Sequence, residues 1–320
     1  MPEQREKHLP TYSTIISPDV YSRLMTDEHV YIKASDVAIA NVVEREVALK
    51  GEPIEVVEYG CGPARALQRT ARVSGIHVTG VDHDPEFIEY GRNLLQRQHL
   101  YADLVLADAE TYMHPKPVDV FYSQGVHHHI QKGEATRRYL KGIYDQLKPG
   151  GMYIVSDEFI PEYATIEERR TRLVIWYSHV IANAQRGEYQ LLAQEEAKTL
   201  LDDLNEVVDP EAIKTQKQIE LVLHSAQLIN GNAIKKHMEQ AEGLADEFLK
   251  KLQTLRNTEE QGDKTIDLSR GDYKICDSEF KREIEVAGFV VEEIQAIGPI
   301  ENIGAMVVYV LRKPLNKVVR

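Results

Sequence analysis

The spacing of hydrophobic positions changes character along the chain, and the changes divide it. Over Val30 to Leu49, apolar residues fall at helical intervals (Ile32, Val37, Ile39, Val43, Val47) without Gly or Pro, which predicts a helix. Ser35 or Asp36 is placed to cap part of it. Upstream, Tyr12, Ile15, Ile16, Val20, Tyr21 and Leu24 surround Pro18 and also read as helical. From Ile54 the texture shifts. Short apolar runs, Ile54–Val57, Val78–Val81, Leu104–Leu106, Val118–Tyr122 and Met152–Val155, predict strands, and Ala64–Val73, Pro85–Gln98 and Glu134–Leu147 predict helices between them. Strands that are continuously apolar belong to a parallel sheet covered on both faces. Such sheets bind ligands beyond the carboxyl ends of their strands.

After Asp157 the alternation stops. Ala164–Gln185, Glu188–Val207 and Pro210–Arg256 are helical in composition, with Asp209-Pro210 as a helix start. Met238, Ala241, Ala245, Phe248, Leu252 and Leu255 form an a/d seam too short for a free coiled coil. The α/β texture then returns, with a helix over Asp277–Ala287 closed by Gly288 and strands over Phe289–Ile297 and Ala305–Leu311. The expected fold is α/β: a doubly wound, mostly parallel seven-stranded sheet with N-terminal helices and a helical insertion after the fifth strand. Residues 1–50 form the N-terminal helical cap, 51–159 with 273–313 the ligand-binding α/β domain, and 160–272 the insertion, read as a lid and the surface offered for a homodimer.

Charge narrows the function. Lys plus Arg number 38 against 51 Asp plus Glu, a net charge of -13, which disfavours a partner bound through a phosphate backbone. Two cysteines, Cys61 and Cys276, give neither a disulfide framework nor metal-ligand spacing. No apolar run reaches membrane-spanning length and the start has no apolar signal region. The expectation is a cytoplasmic protein with a small-molecule substrate, no nucleic acid and no membrane.

The chemistry concentrates at strand ends. Glu58-Tyr59-Gly60-Cys61-Gly62-Pro63-Ala64 follows the first strand, and its alternate glycines let backbone approach a ligand. Asp82 ends the second strand about 20 residues on, where an acid can accept ribose hydroxyls. Asp108-Ala109 follows the third, where an acid can take an exocyclic amine. Three acids at successive strand ends suit a cationic, phosphate-free nucleoside better than a pyrophosphate. Each also has a plain reading as a helix cap.

With these motifs the segment from about Ile54 to Asp157, with Asp277–Arg312, resembles a class I S-adenosylmethionine-dependent methyltransferase. Glu58, Gly60 and Gly62 match the family's acid and glycine motif, with Ala64 at the third glycine. Ser123-Gln124-Gly125-Val126-His127-His128 resembles the segment after the fourth strand, and Leu147-Lys148-Pro149-Gly150-Gly151 the turn into the fifth. The resemblance implies S-adenosyl-L-methionine as cofactor, held by Tyr31, Glu58, Gly60, Gly62, Asp82, His83, Asp108, Ala109 and Ser123. It covers about half of the chain and leaves the N-terminal helices and the insertion unexplained.

Acceptor-side residues are read from position. His128 and Asp157 are candidate bases, and Tyr177 a third catalytic candidate. Tyr12, Trp176 and Ser178 are candidates for the substrate side, while Tyr12, Tyr21 and Tyr31 read equally as packing residues. Trp176 and Tyr177 cannot share one helix face. His127, His128 and His129 are consecutive and cannot easily converge on one ion, so no metal is expected. The leading function is methyl transfer to a small molecule. Two alternatives stay open: a cyclase that consumes S-adenosylmethionine and releases methylthioadenosine, like the azetidine-2-carboxylate synthases of this fold, and an inactive nucleoside-binding member. A Rossmann dehydrogenase is disfavoured because G-x-G-x-x-G is missing.

Overall fold

A computed structural model describes residues 13, 17–23, 30–165, 168, 172, 273–300 and 304–315. Two N-terminal helices, α1 (Pro18–Arg23) and α2 (Val30–Lys50), precede β1 (Ile54–Tyr59), α3 (Leu67–Thr70), β2 (Ile76–Asp82), α4 (Pro85–Arg97) and β3 (Asp103–Leu106). Then come β4 (Val118–Gln124), a 3-10 turn at His127–His129, α5 (Glu134–Gln146) and β5 (Leu147–Phe159). After the excursion that follows β5, α6 (Asp277–Val286), β6 (Val290–Ile300) and β7 (Gly304–Arg312) complete the described chain.

The seven strands lie in the order β3-β2-β1-β4-β5-β7-β6. β1 to β5 run parallel, and β7 enters antiparallel between β5 and β6. The order reverses between β1 and β4, so the crevice of a doubly wound sheet opens there. Alternation along the strands separates two cores. Val56, Val120, Tyr122 and Ile154 pack with Ile39, Val42 and Val43 of α2, whereas Val57, Phe121, Tyr153 and Val155 pack with α5 and α6 through Tyr139, Ile143, Phe280 and Ile284. The spacing of Ile39, Val42 and Val43 puts all three on one face of α2. Burying each contributes roughly 1.5–3 kcal/mol, and a charge at Val43, which is fully buried, would undock the helix.

Several expectations are corrected. The helix over Ala64–Val73 shrinks to the single turn of α3, because Ala64 sits at φ 62 and the backbone is still turning there. Ser35 and Asp36 lie inside α2 rather than at its start, and the Ser35 hydroxyl donates to the Ile32 carbonyl. The segment Leu147–Gly151 is the start of β5, not a turn before it, with the pairing shifting register between Val118 and Val120. α4 begins as its sequence asks: the Asp84 carboxylate accepts from the Glu86 and Phe87 amides at 3.0 and 3.2 Å, and Pro85 takes the first helical position.

The excursion after β5 leaves and re-enters at one place. Ile160 N donates to the Ile275 carbonyl at 3.2 Å, and Tyr273 N donates to the His128 carbonyl at 2.5 Å. Most of the insertion expected over 160–272, with Trp176, Tyr177 and Ser178, lies outside the described residues, as does Tyr12. Among the described residues no helix is long and apolar enough to cross a membrane.

Candidate active site

The turn after β1 is built on left-handed backbone. Gly60, Gly62 and Ala64 have φ of 66, 51 and 62°. At Gly60 a Cβ would come within 2.3 Å of Val126 Cγ2, so the loop after β4 lies directly against this turn. At Gly62 a Cβ would rest in ordinary contact with Phe87 at 3.6 Å and Tyr21 at 4.0 Å. The Tyr21 and Phe87 rings lie 5.2 Å apart, which brings α1 over the turn. Ala64 carries a Cβ in this strained region, and Gly91 of α4 leaves it room, since a Cβ on Gly91 would stand 3.0 Å from that of Ala64.

The acids at the strand ends have different tasks. Asp82 Oδ2 accepts from the Gly62 amide at 2.8 Å and Oδ1 from the Asp84 amide at 2.9 Å, so its carboxylate braces the glycine turn. Burial raises its pKa against those two bonds. His83, beside it, is mostly exposed. Glu58 is buried under the turn and accepts from the Tyr122 hydroxyl at 2.8 Å; burial pushes its carboxyl well above the usual range. Asp108 is exposed, its Oδ1 accepting from the Glu110 amide at 2.8 Å, and Ala109 packs partly against the core. The Asp84 carboxylate also accepts from the Ser13 amide at 2.8 Å, tying the N-terminal segment to the second strand end.

Ser123 faces away from the crevice. Its hydroxyl joins the Tyr153 hydroxyl at 2.8 Å, and that one meets Tyr139 at 2.9 Å, inside the core beneath α5. Only its backbone is left to touch a ligand. Tyr31 stands in the first turn of α2.

A polar cluster that sequence reasoning missed joins α2 to the turn. Arg65 donates to the Asp36 carboxylate and to the Gln124 amide oxygen, and Gln124 Nε2 donates to Ser35 at 2.5 Å. Asp36 Oδ1 is buried without a partner, and burial raises the Asp36 pKa despite Arg65. A signal existed: Arg65 is the one cation between Lys50 and Arg69, set in an acidic strand-end region.

The loop after β4 brings together two of the candidate catalytic residues, His128 and Asp157. Asp157 Oδ1 lies 2.5 Å from His128 Nδ1, while Oδ2 accepts from the His127 amide at 2.7 Å and the His128 amide at 3.4 Å. Burial would raise the Asp157 pKa, but His128, by electrostatic attraction and by its hydrogen bond, and the Glu158 amide hold it well below the carboxylate range. Whether the ring is neutral or charged, the bond places a proton on His128 Nδ1, facing Asp157. Beside this pair, Lys274 is buried with its ammonium 3.3 Å from Glu158. Among the described residues no group of three His, Cys, Asp or Glu is placed to hold a metal ion.

A family model described as "Methyltransferase domain" matches residues 56–151, from within β1 to the start of β5. Over that segment, under a third of the chain, the sequence is similar to a methyltransferase domain. No curated protein sequence matches the chain. Solved structures similar to it include magnesium protoporphyrin IX methyltransferase from Synechocystis PCC 6803 with bound SAM (10% identity, 94% of this chain and 93% of that one, TM-score 0.49). Another is 1,6-didemethyltoxoflavin-N1-methyltransferase of Burkholderia thailandensis (16% identity, 95% and 89%, TM-score 0.46). A third is the 4+2 cyclase SpnF (11% identity, 87% and 81%, TM-score 0.48). The matched segment contains the glycine turn, Asp82 and Asp108 at the ends of β1, β2 and β3 and His128 in the turn after β4, while Asp157 lies beyond it in β5.

Proposed function

We propose that the chain transfers a methyl group from S-adenosylmethionine to a small-molecule acceptor, with His128 as the base that takes the acceptor's proton. The observation that carries this reading is the His128–Asp157 pair, 2.5 Å apart, on the loop whose Val126 abuts Gly60. On this reading the base stands on the loop that packs against the glycine turn.

The residues present fit the cofactor. The Asp82 brace and the exposed Asp108 set acids at adjacent strand ends, and Arg65 at the turn is taken up by Asp36 and Gln124, which suits a cationic nucleoside without phosphate. Gly60, Gly62 and the Asp82 and Asp108 side chains would hold the nucleoside, with Glu58, Tyr31 and His83 around it. When bound, S-adenosylmethionine supplies an electrophilic methyl on a sulfonium that leaves as a neutral thioether. The His128 ring, in its neutral form, accepts the acceptor's proton as the nucleophile's lone pair is freed, and Asp157 stabilises the imidazolium that forms. Orientation of the acceptor in line with the methyl, away from water, contributes the remainder.

Isothermal calorimetry with S-adenosylhomocysteine tests the cofactor site. Incubation with S-adenosylmethionine, alone and with acceptors grouped as phenols, amines and carboxylates, followed by mass spectrometry, tests the reaction. Release of S-adenosylhomocysteine only with an acceptor, lost in His128→Gln while cofactor affinity stays within about twofold, supports the proposal. Methylthioadenosine formed without a second substrate overturns it in favour of cyclisation.

A further inference from the structure

The loop carrying His128 is held from two sides by carboxylates on separate elements. Asp157 of β5 takes the amides and the His128 ring. On the other side Glu283 of α6 lies 2.7 Å from His127 Nε2, across a separation of 156 residues. Lys132 Nζ stands 3.6 Å from the same Glu283 oxygen. The His127 ring is buried edge-on to Phe280, with centroids 4.9 Å apart.

One atom fixes the protonation state. His127 Nδ1 is buried and has no hydrogen-bond partner. A neutral ring with its proton on Nε2 donates to Glu283 and leaves only a lone pair at Nδ1. A charged ring would bury an unpaired N–H, which is costlier. Burial and the Lys132 charge both lower the His127 pKa, in agreement. Glu283, against its own burial, is held below its usual range by His127 and Lys132, so it is an ionised acceptor. His127 is therefore a fixed donor aimed at a fixed acceptor.

A buried ionic group of this kind is weak as a source of stability, since apolar residues of like volume often serve as well. What it supplies is direction. We infer that the Glu283–His127 bridge is the positioning element of the His128–Asp157 pair: α6 sets the His127 ring, and the backbone of that residue sets the turn that lays His128 Nδ1 on Asp157. Glu283 acts on the pair through His127, so it is a positioning residue. The inference rests on the reading of His128 as the base.

Proton NMR of the enzyme labelled with nitrogen-15 histidine reads the geometry without any acceptor. The short His128–Asp157 bond gives an Nδ1–H resonance downfield of the amides, assigned by its loss in His128→Gln. In Glu283→Leu, which keeps volume but removes the acceptor, that resonance is lost or moves upfield, while affinity for S-adenosylhomocysteine stays within about twofold. Glu283→Gln, whose amide oxygen still accepts from Nε2–H, restores it. His127→Phe keeps the ring packing on Phe280 and removes the donor, and the same loss is expected, which covers the case of a Glu283→Leu variant that does not fold. An unchanged resonance in Glu283→Leu or His127→Phe overturns the inference. Failure of the wild-type protein to bind S-adenosylhomocysteine sinks the methyltransferase reading instead and leaves this result standing.

Discussion

Replacing Asp157 by Asn separates the charge of this side chain from its shape. The substituent keeps the volume and one acceptor oxygen, and turns the other oxygen into a donor that faces donors. The native carboxylate takes the His128 ring at 2.5 Å and the His127 and Glu158 amides at 2.7 Å each, with the group buried. Hydrogen bonds to a charged group contribute about 1.5–3 kcal/mol, and breaking a buried charge pair costs about 3–5 kcal/mol. A loss of about 3 kcal/mol at neutral pH is therefore expected for Asp157→Asn. In the unfolded chain Asp titrates near ~3.9. In the fold, despite burial, His128 depresses the Asp157 pKa well below that. The stabilisation from this group is thus complete above the unfolded value and is lost as pH falls through the folded one. Asn has no such titration. Urea melts of both proteins between about pH 7 and pH 3 should show a gap of about 3 kcal/mol that narrows below about pH 4. The difference cancels the other acids, including Asp119, which Lys148 and Lys50 hold down against its burial. A gap that is constant or widens on acidification would refute an ionised Asp157 bound to His128.

Asp82→Ala removes the acceptor of the Gly62 amide and should weaken S-adenosylhomocysteine binding by about 1–3 kcal/mol by calorimetry; unchanged affinity in the folded variant counts against the cofactor site. Gly60→Ala meets both a left-handed φ and Val126 Cγ2 at 2.3 Å, so binding should fall at least about tenfold, with partial recovery when Val126→Ala is added. No recovery would mean that backbone strain alone sets the loss. Arg65→Ala leaves Asp36 buried without its cation and should lower stability in urea by about 3 kcal/mol. The Asp36→Asn, Arg65→Ala double variant should regain part of it, and strict additivity would show that the pair is not coupled.

What the sequence made legible was local. Each parallel strand announces itself as an apolar run, and the glycine turn, Asp82 and Asp108 follow within a few residues of strand ends. What it hid was conformation and pairing. Helical composition over Ala64–Val73 carries no sign that Ala64 takes a positive φ, so the helix was overextended. Ser123 and Gln124 are neighbours on β4, and the pleat sends one under α5 and the other to α2 and Arg65. A one-residue choice of face decides which of them can reach the crevice. Arg65 with Asp36 and His127 with Glu283 join residues 29 and 156 positions apart, which no local pattern encodes.

The hydrogen bonds from Ile160 to Ile275 and from Tyr273 to the His128 carbonyl close the excursion at its base. Because both ends are pinned to the core and to each other, the length of chain between them is nearly a free parameter. Doubling a closed loop costs only about 0.6 kcal/mol in entropy. The sheet can therefore accept cassettes of different size at this point without retuning its core. The chain returns from that variable stretch by docking on the His128 backbone, so a change in the cassette can be felt at the residue proposed as the base.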